Sequence, residues 1–242
     1  MVKYHISSDE CPVVRQRAAL NRNTPAQVLE ELSKDENIDV RSGIANNPIS
    51  PPHILENLSK DEDNYLRGSV ARNPNTPIHV LETLSKDQDW RVRSGVAGNP
   101  NTPPHVLENL SKDEDDWGVR DSVAYNPNAP THLLESLSKD EDWNVRETVA
   151  GNPNTPTNVL EELSKDEDRE VRYSVAHNQN GPTHLLESLS NDEEWKVRDN
   201  VAGNPSTPIH VLENLSKDKD WYIRNTATRT SRNTATSALA KN

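Results

Sequence analysis

Residues 89–113 read DWRVRSGVAGNPNTPPHVLENLSKD, and close copies of that phrase run end to end through residues 14–222. The anchor of each copy is an aliphatic residue followed by arginine. It falls at Val14, Val40, Leu66, Val92, Val119, Val145, Val171, Val197 and again at Ile223. The spacing is 26 residues, except for one step of 27 where an extra acid enters the Asp113–Asp116 loop. A fixed period of this length predicts a solenoid, in which a unit buries its apolar side only against its neighbours.

Within the quoted stretch, Asp89 is placed to cap a first helix. Val92, Val96 and Ala97 then fall on one helical face. Asn99 precedes Pro100, which pushes it out of the helical region and ends the helix. Thr102-Pro103 is expected to restart the chain as a second helix, with a hydroxyl cap and an initiating proline. Val106, Leu107 and Leu110 form that helix's apolar stripe. Both helices are about two turns long and too short to persist alone. One of the two is open to being a 3₁₀ helix. A β reading fails because the apolar spacing is 0, +4, +5 rather than alternating, and prolines interrupt every copy.

The fold expected is therefore all-α, with eight tandem two-helix repeats over residues 14–222, starting at 14, 40, 66, 92, 119, 145, 171 and 197. Residues 1–13 are expected to be an N-terminal half-repeat cap, because Ile6-Ser7-Ser8-Asp9-Glu10 matches the Leu-Ser-Lys-Asp-Glu of later copies. In residues 223–242 the pattern decays, which predicts a degenerate C-terminal cap or a loose tail.

The phrase VRxxVAxNPNTPxxVLExLSKDED resembles the variant leucine-rich repeat family and, more distantly, HEAT and armadillo repeats. In the quoted unit the residues that carry it are Val92-Arg93, Val96-Ala97, Asn99-Pro100, Thr102-Pro103, Val106-Leu107 and Leu110. The resemblance implies alternating α and 3₁₀ helices wound into a right-handed superhelix, and no single biochemical activity. One member type of the family has an iron–sulfur cluster in a cysteine-rich N-terminal segment. Cys11 is the one cysteine here, so that feature has no counterpart.

Composition narrows function. The net charge is −12, and residues 223–242 hold Arg224, Arg229, Arg232 and Lys241 with no acid, which leaves −16 on the rest. An acidic body gains nothing from counterion release on a phosphate backbone, so nucleic acid is a poor partner and a basic protein or peptide a better one. A lone cysteine allows neither an intrachain disulfide nor a cysteine metal site. MVKYHISSDE lacks the apolar stretch of a signal peptide, and no apolar run reaches the ~18–20 residues of a membrane span. The expected location is cytoplasmic, with no membrane contact. The Asn-Leu-Ser triplets at Asn57, Asn109 and Asn214 are then incidental to the repeat.

Several residue types recur at a fixed offset. Arginine follows the anchor at Arg15, Arg41, Arg67, Arg93, Arg120, Arg146, Arg172, Arg198 and Arg224. A phosphate-binding groove is one reading. Adjacency to the core favours forks that bridge acidic loops or helix-end carbonyls. Asparagine at Asn21, Asn47, Asn73, Asn99, Asn126, Asn152, Asn178 and Asn204 reads as a hydrogen-bonded ladder that tolerates a left-handed backbone. Histidine recurs at His53, His79, His105, His132, His184 and His210, with Gln27 and Asn158 at the remaining places. Zinc needs ligands at ~2.0–2.1 Å, while packed helices lie ~8–10 Å apart, so a polar helix-start role is preferred to a metal array. The acidic loops lack the glycine and distal glutamate of a calcium loop. Trp90, Trp117, Trp143, Trp195 and Trp221 are expected to cover the core between repeats.

Binding specificity is sought instead at the variable offsets of the first helix. Two residues after the anchor, and immediately before the ladder asparagine, both lie away from the apolar stripe. They place Arg72, Tyr125, Tyr173 and His177 as a candidate partner-binding face. No catalytic, cofactor-binding or metal-binding set emerges. The function expected is a non-catalytic scaffold for protein or peptide on an extended acidic surface. The alternative is an accessory subunit of an enzyme or a regulatory module.

Overall fold

In the computed structural model the described residues are 11–239, with side chains described as far as Thr234. The expected cap at residues 1–13 therefore lies, up to residue 10, outside them. Among the described residues all regular structure is helical. The chain divides into two compact units, Met1–Asn128 and Ala129–Asn242. The first holds α1 (Pro12–Leu20), α2 (Ala26–Leu32), α3 (Ile38–Ala45), α4 (Pro52–Leu58), α5 (Asn64–Arg72), α6 (Ile78–Leu84), α7 (Trp90–Ala97), α8 (Pro104–Leu110) and α9 (Trp117–Tyr125). The second holds α10 (Thr131–Leu137), α11 (Trp143–Gly151), α12 (Thr157–Leu163), α13 (Arg169–His177), α14 (Thr183–Leu189), α15 (Trp195–Gly203), α16 (Ile209–Leu215) and α17 (Trp221–Leu239). Each unit is a solenoid of helix pairs.

Both helices of a pair are α, so neither the 3₁₀ option nor the alternation implied by the family resemblance holds. The second helix shows why. Its apolar residues stand at Val106, Leu107 and Leu110, three to four apart, which only the α geometry stacks on one side. The Leu107 and Ser111 amides donate to the carbonyls four residues back, at Pro103 and Leu107.

The first helices α3, α5, α7, α9, α11 and α13 start where an Asp or Asn side chain takes an early amide. Asp89 Oδ1 accepts from the Arg91 N–H at 2.8 Å, and Asp63, Asp116, Asp142 and Asp168 act alike. Glu194, one methylene longer, makes no such bond at the start of α15. The second helix is not capped by threonine. Its N-cap is a proline without a side-chain bond. Thr102 Oγ1 instead donates at 2.6 Å to the Val96 carbonyl, back in the last turn of the first helix. Thr76, Thr155 and Thr207 repeat the bond to Val70, Val149 and Val201. The hydroxyl closes one helix rather than opening the next, answering the unsatisfied carbonyls that every helix end leaves.

Close approach runs between successive first helices, as in α1 with α3, α5 with α7, and α11 with α13. Small residues permit it. A Cβ built on Gly95 would sit 3.0 Å from Ala71 Cβ and 3.1 Å from the Gly68 carbonyl, and one on Gly43 would sit 2.9 Å from Ala19 Cβ. The second helices press their stripes against the first-helix row. Val92, Val96, Ala97, Val106, Leu107 and Leu110 are all buried. At the C-terminal end α17 runs for 19 residues in place of a helix, turn and helix, because the Asn-Pro and Thr-Pro breaks are missing after Ile223. This continuous helix packs against α15 and α16.

Candidate functional site

The periodic polar residues are consumed by internal bonds. Arg93 forks onto Asp113 of the following loop, with Nε to Oδ2 at 2.6 Å and Nη2 to Oδ1 at 3.1 Å. Its Nη1 donates to the carbonyls of Asp87 and Gln88 in the preceding loop, at 2.9 and 3.0 Å. One guanidinium therefore ties two consecutive loops together. Arg67, Arg146, Arg172 and Arg198 do the same to Asp87, Asp166, Asp192 and Asp218. The aspartate is anchored as well, since Asp87 Oδ1 accepts the Asp89 N–H at 2.9 Å. Burial by itself pushes the Asp87 carboxyl up, but the Arg67 fork and that amide outweigh it and hold it below the ordinary range. For Asp35 the Arg15 fork is the leading cause of the same downward displacement.

The asparagines form a second ladder. Asn99 Nδ2 donates to the Ala71 carbonyl at 2.7 Å and to the Asn73 carbonyl at 2.9 Å, both in the repeat before. Its Oδ1 accepts the Asn101 N–H at 2.9 Å. Asn47, Asn73, Asn126, Asn178 and Asn204 follow the same plan and are buried. The left-handed backbone expected of them is absent. Among the described residues no φ is positive, and the asparagine C-caps of α5 and α9 are extended. The side chain is needed for its two donors, not for its backbone tolerance.

Histidine and glutamate turn out to be one ladder. His53 Nε2 lies 2.7 Å from Glu30 Oε2, and His79, His105, His184 and His210 meet Glu56, Glu82, Glu161 and Glu187 at 3.1–3.5 Å. Each pair links successive second helices on an open surface. Among the described residues no group of three or more His, Cys, Asp or Glu could hold a metal. No helix of the described residues is long and apolar enough to cross a membrane.

The four variable residues are placed as follows. In the first unit, Arg72 and Tyr125 are the last residues of α5 and α9, and both are exposed, Tyr125 by 74 %. Arg72 folds back one turn, so a Cβ built at Gly68 would lie 3.5 Å from its Nη1. In the second unit, Tyr173 and His177 stand one turn apart on α13. Tyr173 is half-buried and His177 exposed, and the Tyr173 carbonyl accepts Asn200 Nδ2 at 3.2 Å. A groove of ≈ 600 Å³ opens between Gly203, Pro205 and the Arg229–Thr234 turns of α17.

The indoles are half-buried, and the Trp90 ring lies against the next first helix, where a Cβ built on Gly118 would meet its Cζ3 at 3.4 Å. They occupy the first position of α7, α9, α11, α15 and α17, and their exposure runs from 37 % at Trp90 to 55 % at Trp221. Tyr222 stacks on Trp221 with ring centres 4.0 Å apart. Arg91 lies over the rings of Trp90 and Tyr65, at 4.9 and 5.8 Å from their centres.

Known proteins point the same way. The profile of the leucine-rich repeat variant family matches residues 90–115 and 143–168. A solved leucine-rich repeat variant with a novel repetitive structural motif is similar at 27 % identity over 85 % of this chain and 81 % of its own, with a TM-score of 0.59. The YibA protein of Escherichia coli shares the fold at 16 % identity and a TM-score of 0.54, over 94 % of this chain and 99 % of its own. No curated protein sequence matches. In its repeats and in its fold, this chain is an all-α solenoid similar to the leucine-rich repeat variant proteins.

Proposed function

We propose that the chain is a non-catalytic scaffold of the cytoplasm that holds a protein or peptide, a basic one by preference, on the outer side of its first helices. The observation that carries this reading is how the repeated polar groups are spent. The arginines and asparagines that recur in every copy bond to neighbouring repeats, and the threonines, where present, close the first helix of their own repeat. Recognition then falls to residues that vary between copies, namely Arg72 and Tyr125 in one unit and Tyr173 and His177 in the other. Tyrosine and arginine are the side chains most often found as binding anchors, and an acidic body draws a cationic partner and repels nucleic acid.

The test is replacement of Arg72, Tyr125, Tyr173 and His177 by Ala, followed by affinity measurement for a partner recovered by capture from the native cell. Loss of about ten-fold or more is expected. Unchanged affinity rejects this face.

A further inference from the structure

We propose that the indole edge of the second unit, carried by Trp195 and Trp221, is a docking strip for an extended arginine-bearing peptide. Each guanidinium of the peptide lies flat on an indole, and the one at Trp195 also faces the exposed carboxylate of Glu193. The proposal rests on the scaffold reading above and names a surface and a partner chemistry for it.

The periodic indoles differ from the other ladders in what they leave open. The repeated arginines and asparagines are spent on neighbouring repeats, whereas the rings of Trp195 and Trp221 keep about half their surface in solvent. Trp221 and Tyr222 together make a two-ring platform. Glu193, next to this row, is exposed.

The chain itself shows what such a strip accepts. In the first unit Arg91 sits over Trp90 and Tyr65, with Nη1 3.5 Å from Asp89 Oδ2. In the second unit the tryptophan place of α13 is taken by Arg169, whose guanidinium lies 3.3 Å from Glu170 and 3.6 Å from Glu194. An open pocket of ≈ 530 Å³ adjoins it, lined by Glu167, Asp168, Glu193 and Glu194 together with Arg169 and Arg172. In both cases the row places an arginine among acids, and in one of them also on aromatic faces.

Spacing sets the ligand's register. Successive packed helices lie about 8–10 Å apart. A polyproline II segment advances about 9 Å in three residues and returns to the same face. Arginine at every third position of such a segment therefore meets successive repeats, at Trp195 and then at Trp221. Lysine is the poorer occupant, because an ammonium cannot stack as a plane or fork onto carboxylates.

The test uses the full chain and a fluorescein-labelled nonapeptide of three Arg-Pro-Pro steps, followed by anisotropy at about 0.15 M salt. The expected result is saturable binding, several-fold weaker for Lys-Pro-Pro steps and for the same three arginines placed side by side. Trp195→Ala with Trp221→Ala should weaken it about ten-fold, at two- to five-fold per ring. Should that variant misfold by circular dichroism, Glu167→Gln with Glu193→Gln reads the same strip and should cost about three-fold. No binding, equal binding of the lysine peptide, or indifference to the substitutions overturns the proposal. A cellular partner that needs Arg72, Tyr125, Tyr173 and His177 but neither Trp195 nor Trp221 would also overturn it, and would leave the scaffold reading standing.

Discussion

Asn99→Ala tests what holds one repeat to the next. The change removes three hydrogen bonds, two given to the Ala71 and Asn73 carbonyls and one taken from the Asn101 amide. At about 1 kcal/mol each the loss is about 3 kcal/mol, and the stranded buried carbonyls add about 1 kcal/mol more. Asn21 provides the control at the same offset. Its side chain is exposed and, among the described residues, its Oδ1 accepts one amide bond, from Asn23. Asn21→Ala should stay within about 0.5 kcal/mol of the parent, as exposed substitutions do. With a urea slope of roughly 3 kcal/mol/M, Asn99→Ala lowers the unfolding midpoint by about 1 M and Asn21→Ala by less than about 0.2 M. The assay is urea unfolding followed by far-ultraviolet circular dichroism at neutral pH. Equal midpoints for the two variants would refute the reasoning, because they would mean the amide ladder contributes no more when buried than when wet.

Three further outcomes are expected. Arg93→Lys keeps the charge but loses the fork to Asp113 and the bridge to the Asp87 and Gln88 carbonyls, so stability should fall by about 2 kcal/mol in the same assay. The carboxyls of Asp35, Asp87, Asp113, Asp192 and Asp218 are all held below their ordinary value, so the folded state binds their protons less readily than the unfolded chain does. Their stabilisation is complete above the unfolded carboxyl range and drains away as pH falls through the lower folded values; urea midpoints should hold steady from pH 7 to about pH 5 and drop steeply below about pH 4. Glycine substitutions should split in sign: Gly151→Ala meets nothing within 4 Å and should raise the thermal midpoint, for a gain of about 0.5–1 kcal/mol, whereas Gly95→Ala crowds Ala71 and the Gly68 carbonyl and should lower it by calorimetry.

How much of this was legible depends on whether a bond joins equal or unequal offsets. A period relates each residue to its own copy 26 places on. Helix starts at Asp89, the break at Asn99-Pro100, the buried Val92 and Leu107 stripes and the asparagine ladder were all readable from that relation and local chemistry. For bonds between different offsets, the kind was readable for arginine, whose forks onto acidic loops were expected, but the partner was not. His53 reaches Glu30 across 23 residues and Arg93 reaches Asp113 across 20, separations that follow only once the angle between successive helices is known. So histidine and glutamate looked like two rows when they are one. Thr102 misled for a local reason. A hydroxyl before proline fits a helix start, but the turn carries it within 2.6 Å of the Val96 carbonyl, where a donor is wanted more.

The asparagine and arginine ladders share one habit: each bond runs from a group in one copy to a group that every adjacent copy also possesses. Deleting or duplicating a whole 26-residue segment inside a unit would leave no donor stranded and no acceptor bare. Copy number is thus a variable that a lineage can change in a single recombination event, trading length of contact surface against synthesis cost while the interior stays correctly wired.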